Sequence, residues 1–142
     1  MKKTFFILFT VWTLFALAAC GGSQTGAKVT ADGVDVDLTQ MNATIMYAEL
    51  SNIIYMPDDY VGKIIRMNGT VVSSVDPETN ITYHAVIIRD ATACCASGLD
   101  YVLADGQEYP ADETDVTVTG EFELYEEDGF FYCQLKDAII DA

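Results

Sequence analysis

The sequence predicts an all-β domain with one N-terminal helix, folded as a small five-stranded Greek-key barrel. Three observations lead there. Five runs between Lys63 and Leu135 carry apolar residues at strand spacing and are parted by turn residues. The first and fourth of these runs hold a glycine at mid-length, Gly69 and Gly120, and such glycines let long strands bend around a narrow barrel. Ahead of the strands, one stretch repeats its apolar residues at helical spacing.

The chain begins with a segment that does not belong to this domain. Lys2 and Lys3 form a basic start, and residues 5–18 are apolar except for Thr10 and Thr13. That run falls short of the roughly 20 residues a spanning helix needs and has the length of a signal peptide's apolar region. It ends in Leu17-Ala18-Ala19-Cys20-Gly21-Gly22, and small residues directly before a cysteine resemble the lipobox of bacterial lipoproteins. The resemblance implies cleavage of residues 1–19 and a diacylglyceryl group on Cys20, holding the protein on the extracytoplasmic face of the cell membrane. Residues 20–41 then read as the lipidated cysteine and a flexible Gly-rich tether, with Val34 to Leu38 as at most a short lead-in strand. Residues 42–142 form the domain.

Charge narrows the partners. The chain has 7 Lys and Arg against 22 Asp and Glu. Removing residues 1–19 takes Lys2 and Lys3 with it, leaving five basic residues and a net charge of −17. Such a surface repels phosphate backbones, which excludes nucleic acid as a partner. It also repels anionic headgroups, so the lipid must supply the attachment to the membrane.

The domain opens with a helix over about residues 42–56. Asn42 suits the N-cap, Met46, Leu50, Ile53 and Ile54 recur on one face, and Pro57 ends it. The first strand, Lys63 to Ser74, places Ile65, Met67 and Val71 on one face, with a bulge or sharp bend expected at Gly69. After a turn at Asp76-Pro-Glu-Thr-Asn80 come Ile81 to Arg89 and Leu99 to Ala104. Val116 to Tyr125 alternates most cleanly, and Asp128-Gly129 turns the chain into Phe130 to Leu135.

Five short strands with mid-length glycines suit the OB-fold, a partly open Greek-key barrel. Two phrases are more specific. Pro57-x-x-Tyr60-x-Gly62-Lys63 followed by Gly69, and Asp90-Ala-Thr-Ala-Cys94-Cys95-x-x-Gly98-Leu99, resemble an uncharacterised group of bacterial lipoproteins with an OB-like domain. The resemblance covers about residues 42–138. It implies the fold and the compartment, and no known activity.

The chemically unusual residues are Asp90, Cys94, Cys95 and Cys133. In an OB barrel the third and fifth strands run side by side and parallel, which brings Cys133 beside the cysteine pair. Three uses follow. A disulfide from Cys133 to Cys94 or Cys95 suits an oxidising compartment and closes a loop of about 40 residues, worth roughly 3–4 kcal/mol. A thiolate site for zinc would use all three sulfurs, with Asp90 or water as the fourth ligand. Packing is the third use, since Cys133 alternates in phase with Phe131 and Leu135. A bond between Cys94 and Cys95 themselves demands strained geometry. His84 stands six residues before Asp90, roughly 20 Å away along a strand, so it is set aside as their ligand.

The aromatic residues Tyr125, Phe130 and Tyr132 flank one hairpin and are candidates to face a ligand, because OB barrels bind on an exposed sheet face and its rim loops. The acidic runs at Asp58-Asp59, around Asp112 and at Glu126 to Asp128 lack EF-hand spacing. No GxSxG, HExxH or P-loop is present. The expected function is therefore a lipid-anchored extracytoplasmic binding or adaptor module, not an enzyme, taking a protein, peptide or small ligand. That reading calls for no cofactor; the alternative is a zinc-binding or redox-active lipoprotein using Cys94, Cys95 and Cys133, with zinc as its cofactor.

Overall fold

The computed structural model describes residues 33–141. The expected signal peptide, Cys20 and the expected tether as far as residue 32 lie outside the described residues. The elements run β1 (Val36–Asp37), α1 (Ala43–Tyr55), β2 (Ile64–Val75), β3 (Thr82–Arg89), β4 (Ala96–Leu103), β5 (Asp115–Glu127) and β6 (Phe130–Asp141). The fold is mostly β with one helix, and its sheet has six strands rather than five, because the lead-in pairs in parallel with β2 at Val36 and Asp37.

α1 forms for the reasons its sequence supplies. The Asn42 side chain accepts the Ile45 N–H at 3.1 Å, filling the N-cap. Leu50 and Ile53 are completely buried, and Met46 and Ile54 pack half-buried beside them. The helix stops at Met56, which precedes Pro57 and leaves the helical region (φ −128°, ψ 56°). Its apolar face lies against β3 and β4.

β2 organises the sheet. Residues Ile64 to Thr70 pair antiparallel with β5, and Thr70 to Val75 pair antiparallel with β3. The strand therefore changes partner beside Gly69, where a Cβ would lie 2.5 Å from the Ile87 carbonyl oxygen. The bend expected at Gly69 is thus a point of close backbone approach. β3 continues antiparallel into β4, β4 pairs in parallel with β6, and β6 pairs antiparallel with β5. The pairings run β2-β3-β4-β6-β5 and return to β2. Ile65, Met67, Val86, Ile88, Leu99, Tyr101, Phe122 and Leu135 are buried inside this circuit.

Two strand boundaries differ from the sequence expectation by three residues or more, the others by one or two. β4 starts at Ala96 rather than Leu99, since Ala96 to Gly98 pair with Ile87 to Arg89 despite their small side chains. β6 continues to Asp141 by pairing with Thr117 to Thr119, beyond a bulge where Asp137 is left-handed (φ 47°) and the register against β5 shifts between Thr119 and Glu121. The bulge separates buried Leu135 from buried Ala138 by three positions, which conceals the strand's period of two. Asp128 (φ 51°) and Gly129 (φ 82°) both have positive φ, as a two-residue type I′ hairpin requires.

Candidate functional site

Two places on the domain concentrate chemistry. The first is the turn from β3 to β4. Asp90 Oδ1 accepts the backbone N–H of Cys94 at 2.9 Å and of Cys95 at 3.2 Å. Its Oδ2 accepts the Thr92 hydroxyl at 2.7 Å and the Cys94 thiol at 3.3 Å. These bonds, led by the Thr92 hydroxyl and the Cys95 N–H, hold the Asp90 carboxyl down at about 2. The Cys94 and Cys95 sulfurs stand 3.5 Å apart, and both side chains are exposed. The Cys95 thiol is pushed above 9.0, first by its hydrogen bond to Cys94 and then by nearby negative charge. Tyr47 of α1 flanks the turn; its hydroxyl is raised above 10.0 by partial burial and by the negative fields of Cys95 and Asp90.

Asp90, Cys94 and Cys95 thus come together, and Cys133 does not join them. Among the described residues Cys94, Cys95 and Cys133 are free thiols, with neither a crosslink from Cys133 nor a bond within the pair. The parallel register explains this. Asp100 pairs with Gln134, which puts Cys133 level with Leu99, four residues beyond Cys95 and about 13 Å along the strand. Cys133 instead sits half-buried beside Ile54, Leu99 and Tyr132, packed against the core, and burial raises its thiol. Phe131, expected to share its inward phase, is 73 % exposed at the hairpin.

The second place is a groove on the outer face of β3, β4, β5 and β6. Asp100 and Gln134, paired across β4 and β6, form its floor. Tyr83 rises on one side and Tyr125, Glu127 and Tyr132 on the other. Tyr125 and Tyr132 are direct cross-strand partners with rings stacked at 5.6 Å. The Tyr83 hydroxyl donates to Glu127 Oε1 at 2.7 Å, bridging the start of β3 and the end of β5. Beneath this bridge lie two adjoining recesses of about 260 and 350 Å³, which share Tyr83, Asp100, Tyr125 and Glu127.

Carboxylates dominate the groove. Asp76, Asp100, Glu126, Glu127 and Asp128 line it, and neither recess is lined by Lys or Arg. Glu127 holds the Tyr83 hydroxyl up at about 12, and burial followed by the charge of Asp100 does the same for Tyr125. Asp100 is different. Burial alone raises its carboxyl, with no hydrogen bond or opposite charge among the described residues to offset the lost solvation.

Of the aromatic candidates, Tyr125 and Tyr132 line the groove, whereas Phe130 is 66 % exposed at the hairpin tip and lines neither recess. His84 stands at the far edge of the first recess. Its Nδ1 lies 2.9 Å from Ser73 Oγ, its ring stacks on Tyr109 at 3.8 Å, and burial lowers its pKa. Tyr83, Asp100 and Gln134 join the groove without having stood out in the sequence, and Glu127 joins it from an acidic run that lacks metal-ligand spacing. Asp100 left a signal, being the lone charge in the apolar run Leu99 to Leu103. Comparison with protein families, curated proteins and solved structures found no match for this chain.

Proposed function

We propose that this chain is a lipid-anchored extracytoplasmic binding module, without catalysis, whose groove receives a cationic group from a protein, peptide or small ligand. The observation that carries the reading is Asp100, a partly buried carboxylate without a partner at the floor of a tyrosine-lined, acidic recess. An ammonium or guanidinium there would restore the interaction Asp100 loses on burial, a charged hydrogen bond worth about 1.5–3 kcal/mol. The faces of Tyr83, Tyr125 and Tyr132 would add roughly 0.5–2 kcal/mol through cation–π attraction.

The fold supports the same reading when taken as an OB-type Greek-key barrel with a lead-in strand. The closed order β2-β3-β4-β6-β5 with one parallel pair is consistent with that architecture. In such barrels, ligands lie across the second and third barrel strands, between the first and last hairpin loops. Here those are β3 and β4, flanked by the Asp76–Asn80 turn and the β5–β6 hairpin. The lipobox resemblance at Cys20 supplies the membrane attachment that an acidic surface cannot.

The test is an NMR titration with the tripeptides Gly-Arg-Gly, Gly-Lys-Gly and Gly-Glu-Gly. The cationic peptides are expected to shift the resonances of Tyr83, Tyr125 and Tyr132, and Asp100→Asn to weaken that binding by about tenfold or more. Equal response to the acidic peptide, or unchanged binding by Asp100→Asn, refutes the reading.

A further inference from the structure

We propose that Asp90, Cys94 and Cys95 form a three-donor site for a thiophilic divalent cation of the zinc class, open at its fourth position and independent of Cys133. The Asp90, Cys94 and Cys95 donor atoms all lie within 4.8 Å of one another. Zinc–sulfur bonds of about 2.3 Å and zinc–oxygen bonds of about 2.1 Å give a tetrahedral ion donor edges of about 3.8 Å (S to S) and about 3.6 Å (S to O). The turn sets these edges at 3.5 Å between the sulfurs and 3.3 Å from Cys94 Sγ to Asp90 Oδ2. These two edges need to open by only a few tenths of an ångström, and the third, from Cys95 Sγ to the Asp90 carboxylate, lies within 4.8 Å.

Neighbouring residues in a strand point to opposite faces, which is the usual objection to a vicinal pair of ligands. Cys94 and Cys95 escape it because they lie in the turn, just before β4 begins at Ala96. Ala93 has a left-handed backbone (φ 55°), and after it the N–H groups of both cysteines reach Asp90 Oδ1. Those two bonds fix the carboxylate plane and leave Oδ2 toward the sulfur. The Thr92 hydroxyl on Oδ2 is the outer partner that orients a ligating carboxylate.

The donor set selects the metal. Two sulfurs favour zinc-class ions over calcium or magnesium, which take oxygen ligands. Three protein ligands and an exposed setting leave the fourth position to water or to a donor from outside.

The test is titration of reduced protein, with oxygen excluded, using Co²⁺ alone and then Zn²⁺. A thiolate-to-cobalt charge-transfer band is expected to saturate at one equivalent and to vanish as Zn²⁺ displaces the cobalt. Cys94→Ser and Cys95→Ser should each abolish the band, Thr92→Val should weaken binding by about tenfold, and Cys133→Ala should leave it unchanged. Melting curves check that each variant stays folded; the turn is exposed, so little change is expected. No band from the reduced protein, a band surviving loss of Cys94 and Cys95, or a band lost with Cys133 overturns the proposal. So does a disulfide joining Cys94 to Cys95 that persists in reducing buffer.

Discussion

Gly69→Ala tests the central structural constraint of the fold. A Cβ at this position would meet the Ile87 carbonyl oxygen at 2.5 Å, Val86 Cγ1 at 2.8 Å and the Ile87 carbonyl carbon at 3.0 Å. The methyl needs about 0.8 Å more room from that oxygen, taking about 3.3 Å as the shortest comfortable carbon–oxygen approach. Val86 Cγ1 can yield by rotating, but the Ile87 oxygen is backbone. β3 cannot retreat either, because Gly98 of β4 presses on the other side of Ile87, with space for a Cβ filled by Ile87 Cδ1 at 2.5 Å. Displacing β3 strains about two ladder hydrogen bonds, at about 1 kcal/mol each, and adds an overpacking cost of about 1–3 kcal/mol. Gly→Ala recovers about 0.4–1 kcal/mol by restricting the unfolded chain. The net loss is about 2–5 kcal/mol, or a melting temperature lower by about 10–25 °C for a domain of this size. Thermal melts followed by circular dichroism, supported by urea unfolding, measure it. A melting temperature within about 2 °C of wild type, or above it, would refute the argument, since it would mean the strands are not pinned at this crossing.

Leu50→Ala removes a fully buried side chain where α1 meets the sheet and should cost about 2–5 kcal/mol, read as a lower urea midpoint at unchanged slope. Asp90 has a folded pKa of about 2 against 3.8 in the unfolded chain, so its contribution is present above pH 3.8 and lost as pH falls toward 2. Urea midpoints taken across that window should fall further in wild type than in Asp90→Asn, and parallel curves would contradict the Asp90 hydrogen-bond geometry. Cys20→Ser should release the protein from membranes without detergent; continued detergent dependence would mean that something other than a lipid on Cys20 holds it there.

Much of the fold was legible in the residues. Asn42, the stripe of Met46, Leu50, Ile53 and Ile54, and Pro57 fix the helix, because capping, periodicity and proline sterics are all local. What escaped depends on pairing. Ala96, Ser97 and Gly98 have no strand character of their own and are ordered by the ladder with β3. The far half of β6 is masked by the Asp137 bulge and by Lys136, which faces outward to Glu121 and Glu123 at 3.1 and 3.2 Å. The turn's donors were readable as an oddity at Asp90, Cys94 and Cys95, but excluding Cys133 required the register of β4 against β6. The groove required more still, because Tyr83 and Glu127 meet only when the ends of β3 and β5 converge across one face.

Asp100 connects these lines of reasoning, because a ligand-binding role and a structural role predict opposite effects on stability. Burial raises its folded pKa above 3.8, so the folded protein binds this proton more tightly than the unfolded chain does. Stability must then decline as pH rises through the interval from 3.8 to the raised value, and at neutral pH the ionised carboxylate remains a standing cost to the ligand-free fold. Asp100→Asn keeps the size of the side chain and removes the charge. It should raise the melting temperature at pH 7, lose that advantage below pH 3.8, and at the same time weaken binding of Gly-Arg-Gly. A side chain that holds the groove together would behave the other way, with Asn lowering the melting temperature at pH 7. That outcome would mean Asp100 has a partner within the protein, and the case for a cationic ligand would lose its main support.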